Sequence, residues 1–401
     1  MSIVSFRGLA PPSSGDIPVS DPDRLTDLES KHALVTDYLK SQNLDAIILQ
    51  KPGNFSWFTS GGDCSRGGYT EPTAALLITA DARVLVCGNV DSGQLFDRQL
   101  YGLGFQLKER PWHEPRQVLI DDLCRGRMVV SDTGVSGTKD VSQALLEMRQ
   151  PLNELEITRL KETALLTTHA VEATARQFKK GQTEAEIAGE LSHRMIKHDI
   201  TPVRLQVMAD GQGHRYRHWG FGADTVERYC VISAVGRRQG LCVGITRTVS
   251  FGEPPKTIRT AHHRALLMQA TGMYFSQPGW EFQETWQRVA RIYEKFECPD
   301  EWQHADQADL IGYEISEAAL VPKSDFTFQP GMAVHWHPSV GPAAVSDTIL
   351  IGESAFENLT PSEGWPRLTV EVKRTPIQLS DILCREAIDY QDEKDSHILL
   401  G

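Results

Sequence analysis

No stretch of the chain approaches the roughly 18 consecutive apolar residues that a membrane-spanning helix requires. The opening residues, Met1 to Asp16, also lack the apolar segment behind a basic start that a secretory signal would show. We therefore expect a cytoplasmic protein that has no membrane partner.

Paired cysteines and positive charge are also scarce. The seven cysteines are dispersed and form no CxxC pair, which argues against a zinc ribbon or a disulfide framework. Lys and Arg number 41 against 53 Asp and Glu, and a net charge of −12 repels phosphate backbones. Nucleic acid is therefore not expected as a partner.

The length and patterning instead indicate two globular domains. The 401 residues are long for one domain, and 40% apolar with 23% charged residues is typical of a folded protein. A helical pattern around 141–149 is followed by Pro151, and a second long helical pattern starts at Asn153. We place the domain boundary there, giving domains 1–150 and 151–401.

Each half mixes helical and extended patterns. In the first half, apolar residues recur at helical spacing over 34–39, and Ala46–Leu49 has the composition of a buried strand. The segments 74–79 and 83–87 flank a short turn and predict a strand pair. In the second half, Thr183 to Glu186 form a capping box that opens a helix. An α/β domain followed by an α+β domain is expected.

Several motifs of the second half occur in a recognisable order. They are Ala234-Val235-Gly236, Gly244-Ile245-Thr246-Arg247-Thr248, Ile311-Gly312 with Glu317, Pro330-Gly331-Met332 and Ser346-Asp347-Thr348. Together with the segment Asn54–Gly61 of the first half, they resemble the creatinase, aminopeptidase P, prolidase and methionine aminopeptidase superfamily. The resemblance implies a creatinase-like α/β N-terminal domain, a pita-bread C-terminal domain and a homodimer.

The metal-binding positions depart from that superfamily. Its peptidases hold two metal ions with two Asp, one His and two Glu, which activate a bridging hydroxide. Aligned by the flanking motifs, these five positions are Ala234, Gly244, Asp309, His337 and Ser346, so none is retained. The resemblance therefore implies the fold without the two-metal centre, and we expect no cofactor and no metal.

Candidate catalytic residues remain. His218 lies where the superfamily keeps a cleft histidine, and an imidazole pKa of ~6.5 suits proton transfer. If the fold holds, Asp309, His337 and Ser346 converge, which makes them an acid, a base and a hydroxyl group within hydrogen-bond reach. Three alternatives stay open: a hydrogen-bonded loop histidine, a polar remnant of the old site, or a single metal held by Asp309 and His337 with His218 or His335.

Neighbouring residues are candidates for substrate binding. His335 and His337 flank Trp336, and alternate residues of a strand share one face. The arginines of the cleft segment can hold a carboxylate bidentately, or simply form surface ion pairs. The predicted substrate-binding residues are Arg215, Arg217, His214, His335, Trp219 and Trp336.

The predicted function is a metal-independent hydrolase that cleaves a C–N bond, amide or amidine, of a small anionic substrate or short peptide. A histidine acts as general acid and base, as creatinase does on this fold without metal. The alternative is a catalytically inactive homologue that binds a peptide or protein in the old cleft, as metal-free relatives among histone chaperones do.

Overall fold

The structure, a computed structural model, describes residues 21–66, 71–211, 215–361 and 364–386. The chain divides into two compact units, Met1–Met148 and Arg149–Gly401. Both units combine helices with β-sheets, so the fold class expected from the sequence is confirmed. The division lies beside residue 150, where the sequence places the boundary.

A twisted α/β layer forms the first unit. Its strands are β1 (Ala46–Leu49), β2 (Ala74–Ile78), β3 (Arg83–Gly88), β4 (Gln106–Arg110), β5 (Val129–Ser131) and β6 (Lys139–Asp140). They form one sheet in the order β4-β3-β2-β1-β5-β6. β2 and β3 pair antiparallel, as predicted from the apolar runs on either side of a short turn. Every residue of β1 and β2 is buried, which explains why neither run alternates with polar residues.

Five helices of the first unit alternate with these strands along the described chain. They are α1 (Pro22–Ser41), α2 (Pro52–Phe58), α3 (Asn89–Gln94), α4 (Arg116–Cys124) and α5 (Ser142–Arg149), with a π-helical turn at Leu95–Gln99 and a 3-10 turn at Val135–Gly137. α1 begins where Asp21 accepts hydrogen bonds from the N–H groups of Asp23 and Arg24. Val35 and Leu39 of its apolar face are buried.

The helices described in the second unit are α6 (Glu154–Gln177), α7 (Glu184–Lys197), α8 (Lys256–Phe275) and α9 (Phe282–Lys295). Of these, α6 and α7 pack on the first of the two sheets given in the next paragraph. α6 and α7 start with capping boxes, Asn153 with Glu156 and Thr183 with Glu186, and the second of these is the one predicted. No helix within the described ranges is both long and apolar enough to cross a membrane.

Two sheets form the rest of the second unit. Its strands are β7 (Thr201–Ala209), β8 (Tyr229–Arg238), β9 (Leu241–Phe251), β10 (Ala308–Ile311), β11 (Ala318–Ala319), β12 (Ala333–Trp336), β13 (Ser339–Val340), β14 (Ala343–Ala344), β15 (Asp347–Ile351), β16 (Phe356–Asn358), β17 (Arg367–Val372), β18 (Thr375–Ser380) and β19 (Leu383–Arg385). One sheet has the order β19-β9-β8-β7 and the other β11-β10-β12-β15-β16, while β13-β14 and β17-β18 are separate hairpins. A 3-10 turn at Glu301–His304 precedes β10.

The two sheets meet where β9 touches β15. The N–H of Gly244 donates to Thr348 Oγ1 at 3.1 Å, and that hydroxyl donates back to the Gly244 carbonyl at 2.8 Å. Arg247 joins the layers more strongly, because its guanidinium contacts Glu172 Oε1 of α6 at 3.1 Å and Asp347 Oδ1 of β15 at 3.0 Å. Its side chain is 1% exposed, so these charges compensate one another without water.

Replacing Arg247 with Met is expected to leave buried Asp347 without its cation, while Glu172 keeps its contact with Arg176 at 3.2 Å. We expect the free energy of unfolding at pH 7 to fall by about 3 to 5 kcal/mol, measured by urea denaturation. The loss should shrink in acid, because protonation neutralises the carboxylates. Burial already raises the pKa of Asp347. A loss below about 1 kcal/mol would show that this ion network is not structural.

His262 of α8 gives a second stability prediction. Burial, only partly opposed by Asp381 at 3.8 Å and a hydrogen bond to Ser380, lowers its pKa to about 4. The charges of His263 and Arg247 act in the same direction as burial. In the unfolded state His262 therefore binds a proton near pH 6.5, whereas in the folded state it stays neutral until about pH 4. The free energy of unfolding consequently falls as the pH drops through the window from 6.5 to 4.

The contribution approaches about 3 kcal/mol at the lower end of the window. His262→Leu should lose this dependence, so the difference in unfolding free energy between variant and wild type should change steadily from pH 7 to pH 4. A difference that is the same at both pH values would contradict a neutral buried His262.

Candidate functional site

β10 and β12 place the candidate site residues on one face of the second sheet. Asp309 of β10 pairs directly opposite His335 of β12, so their side chains share a face, and His337 follows two residues later. Trp336 therefore points to the opposite face. There it is fully buried among apolar residues, and its Nε1 donates to Ser276 Oγ at 3.0 Å. The prediction that Trp336 lines a substrate pocket is corrected, since it is a core residue.

An aspartate–histidine pair is the central feature of the site. His337 Nε2 and Asp309 Oδ2 are 2.9 Å apart, and Ser316 Oγ donates to Asp309 Oδ1 at 2.6 Å. Burial alone would raise the pKa of Asp309, but the hydrogen bond and charge of His337, with Ser316 and Arg204, hold it below its ordinary value. Asp309 is therefore ionised and fixes one nitrogen of His337.

His335 fills space that the neighbouring strand leaves open. A Cβ built on Gly244 would lie 2.4 Å from His335 Nε2, so the ring lies directly against the glycine. The ring packs on that of His337 with centroids 4.7 Å apart. Burial, with the charges of His337 and Arg204, lowers the pKa of His335 well below its ordinary value. A buried, neutral imidazole therefore occupies the place beside Gly244, and it is not among the walls of the cavity described below.

Ser346 does not complete a triad with this pair. It is 1% exposed, and its Oγ lies 2.7 Å from Thr246 Oγ1, with a backbone bond between the same two residues at 3.1 Å. The structure thus brings together Asp309 and His337 of the three residues predicted to converge, and places the third hydroxyl in the contact between the sheets. Ser346 is kept away from His337 because it directly precedes β15, and its backbone pairs with Thr246 of β9.

A small cavity of about 50 Å³ opens beside His337. Its walls are Arg204, Gln206, Met208, Arg217, His218, Ser233, Thr246, Ala305, Asp306, His337, Ser339, Ala344 and Val345. His218 lies at its mouth, since the side chain is 71% exposed and Nε2 is 3.5 Å from Asp306 Oδ1. His214, the other candidate for the cleft histidine, lies outside the described residues. All of these walls belong to the second unit.

The predicted arginine and tryptophan contacts have other partners. Arg215 is exposed and its guanidinium lies over the Tyr216 ring at 5.6 Å. Arg217 lines the cavity, but it donates to the Gly341 carbonyl at 2.8 Å and to Glu301 at 3.2 Å. Trp219 is not among the cavity walls, and its Nε1 donates to Glu184 Oε2 at 2.7 Å. Of the three, only Arg217 reaches the cavity.

Sequence reasoning missed two charged residues of the cavity, Arg204 and Asp306. Arg204 carries one signal that could have revealed it, because Arg204, Gln206 and Met208 alternate along β7 and so share a face. Asp306 has no comparable signal, since it lies in the irregular segment before β10. Its nearness to Asp309 and His337 is a property of the folded chain.

A model of metallopeptidase family M24 matches residues 158–358, half of the chain. This chain belongs to metallopeptidase family M24. Uncharacterized peptidases of Staphylococcus haemolyticus and Staphylococcus aureus are similar to it over 358 and 360 residues, at 24% and 22% identity. The alignments cover 82% and 83% of this chain and 99% of each relative.

Solved structures show the same fold at lower identity. The prolidase from Pyrococcus horikoshii superposes with a TM-score of 0.71 at 18% identity, covering 83% of this chain and 99% of that one. The Xaa-Pro dipeptidase from Bacillus anthracis gives 0.70 at 18%, covering 89% and 100%. The N-terminal domain of the FACT complex subunit SPT16 from chickpea gives 0.64 at 14%, covering 85% and 97%. The predicted pita-bread fold is confirmed.

The residues of this M24 chain do not fit a two-metal centre. Ala234 and Gly244, two of the five positions that the resemblance assigns to metal ligands, offer no side-chain ligand atom, and the His335 ring occupies the space beside Gly244. One group of three donors could hold a single ion, because ligand atoms of Asp306, Asp309 and His337 lie within 4.8 Å of one another. However, the positive charge of Arg204 already acts on both aspartates. A dication at this place would be repelled by that guanidinium.

Gly244→Ala tests the contact between the glycine and His335. The added methyl group would displace the imidazole, and we expect unfolding to become easier by about 1 to 3 kcal/mol. His335→Ala in the same chain should relieve the clash, so the double variant should lose less than the two single losses added together. Chemical denaturation of all four proteins measures this coupling.

Gly189→Ala on the exposed face of α7 is the matched control, because a Cβ there meets no atom within 4 Å. It should be neutral or stabilising by up to about 1 kcal/mol. Additive losses at positions 244 and 335 would contradict the packing described here.

Proposed function

We propose that this M24 chain is a metal-independent hydrolase that cleaves an amide or amidine C–N bond of a small anionic molecule. The observation that carries the proposal is the Asp309–His337 pair, which lies beside a small polar cavity. His337 and His218 transfer the protons. Membership of a peptidase family supports hydrolysis as the reaction class.

The pair has the arrangement that a general base requires. Ionised Asp309 accepts a hydrogen bond from His337 Nε2–H, which leaves Nδ1 as the basic nitrogen. That nitrogen removes a proton from water, and the resulting hydroxide attacks the carbon of the scissile bond. The departing nitrogen then needs a proton, and His218 at the cavity mouth, with Nε2 3.5 Å from Asp306 Oδ1, is placed to supply it.

The alternative function is that of an inactive homologue that binds a peptide or protein in the old cleft. One observation favours it: the cavity of about 50 Å³ is well below the ~300 Å³ of most small-molecule sites. The fold is also that of a FACT complex subunit domain. The aspartate–histidine pair favours the enzyme, because a cleft used only for binding does not require an oriented base.

The assembly and location of the chain stay predictions. A homodimer is expected from the resemblance to creatinase, and sedimentation of the purified protein measures it. A cytoplasmic location and a small-molecule or short-peptide substrate are likewise proposals, supported by composition and by the size of the cavity.

His337→Ala and Asp309→Asn should each lower kcat at least about 100-fold, because general-base catalysis typically contributes that much. Protein purified without added metal would be assayed on N-acyl and guanidino acids, with product amine or urea measured. His193→Ala, an exposed histidine of α7 that lines no described cavity, is the matched control and should retain full activity.

Elemental analysis and an Xaa-Pro peptide assay with manganese or cobalt complete the test. Near-stoichiometric bound metal together with metal-restored peptidase activity would overturn metal independence. Absence of turnover on every substrate, with a peptide still bound, would favour the inactive homologue.

A further inference from the structure

Arg204 lies at the wall of the cavity, next to an irregularity of its strand. The register between β7 and β8 shifts between Pro202 and Arg204, and from there Arg204, Gln206 and Met208 face the cavity. Burial lowers the pKa of Arg204, while the charges of Asp306 and Asp309 oppose that effect. The guanidinium is therefore a partly buried cation at the side of the aspartate–histidine pair.

The hydrogen-bond donors of the Arg204 guanidinium are not all satisfied within the described residues. Its buried Nε–H finds no acceptor among the described residues, and none of their carboxylates lies within 4 Å of it. The Nε–H of Arg217 also lacks an acceptor among the described residues, but its other nitrogens donate to Glu301 and to the Gly341 carbonyl. Arg247 likewise donates to Asp347 and to the Thr360 carbonyl. A buried N–H without an acceptor is unfavourable, so an oxyanion that accepts from this guanidinium would be stabilised, although Asp306 and Asp309 partly oppose it.

Ser339 provides a second unused group at the same cavity. Its side chain is 4% exposed, and its buried Oγ has no hydrogen-bond partner among the residues described. A hydroxyl and a guanidinium that both lack partners offer donors to the same small acceptor. Carboxylate oxygens match such donors, because an arginine fork can bind them bidentately.

The volume limits what can enter. One water needs roughly 10 to 15 Å³ of such space, so about 50 Å³ admits a few waters or one small oxyanion. The remainder of any substrate must stay at the mouth, where His218 and Asp306 lie. An anionic end group inside the cavity would thus hold the rest of the molecule beside the proton-transfer groups.

We propose that Arg204, assisted by Ser339, binds the carboxylate of the substrate inside this cavity and is a specificity-determining residue of the reaction. The proposal rests on the hydrolase function for the identity of the ligand as substrate, but anion binding itself does not depend on turnover. Arg204 takes the role that the sequence assigns to Arg215 and Arg217, which have other partners.

Calorimetric titration with sodium formate, and with neutral formamide at equal ionic strength, tests the site directly. Wild-type protein should bind formate and not formamide. Arg204→Met should weaken formate binding at least about tenfold, Ser339→Ala less, and Arg204→Lys to an intermediate degree, because lysine keeps the charge without the fork. Arg259→Met, at an exposed arginine of α8, is the matched control and should bind formate as wild type does.

Thermal unfolding distinguishes a binding role from a structural one. Without formate, Arg204→Met should melt close to the wild-type temperature, because the guanidinium makes no hydrogen bond and no close ion pair within the described residues. With formate, the melting temperature of wild type should rise and that of Arg204→Met should not. A structural arginine would give a lower melting temperature in both conditions.

Two results would overturn the proposal: wild-type protein that does not bind formate, or formate affinity that is unchanged in Arg204→Met. If substrate turnover is found, an unchanged kcat/KM in Arg204→Met would also reject it while leaving the hydrolase function intact. Formate binding that depends on Arg204 in a protein without any turnover would support the anion site and reject the hydrolase.

Discussion

The buried ion network of Arg247 fixes the geometry on which the rest of the site depends. One guanidinium holds a carboxylate of α6 and a carboxylate of β15, and so ties the helical layer and the second sheet to β9. Because the charges lie away from water, a small displacement of either sheet would separate them at high cost. The face that carries Asp309 and His337 is thereby held against the face that carries Gly244.

That close approach makes the residues at positions 244 and 335 depend on each other. A glycine at position 244 leaves a space, and the His335 ring lies against that glycine. The same ring packs on His337, whose nitrogen is fixed by Asp309. Restoring a carboxylate at position 244 alone would therefore overlap the imidazole, so the two positions must be considered together.

Local sequence signals predicted much of the fold because they act over short distances. Capping at Thr183 and the apolar runs at 46–49 and 74–78 depend on neighbouring residues, and the structure has a helix and strands there. The motif order gave the family. The alternation that places His335 and His337 on one face also requires Trp336 on the other, so the strand pattern itself excludes Trp336 from the cavity.

The remaining site residues could not be derived in the same way, because their neighbours are distant in sequence. Arg204 and Asp306 are about one hundred residues apart, and their meeting depends on how the two sheets pack. Ser346 is the opposite case. Its position in the motif predicts a contact with Asp309 and His337, but its hydroxyl contacts Thr246 instead. A motif fixes where a backbone lies, but the partner of a side chain depends on its rotamer and on all surrounding residues.

The cavity brings together charges of both signs. The resemblance assigns five positions to metal ligands, and three of these are Ala234, Gly244 and Ser346. Asp306 and Asp309 remain, opposed by the cation of Arg204 and accompanied by a neutral His335. The cavity therefore combines two carboxylates with one guanidinium, whose Nε–H has no acceptor among the described residues.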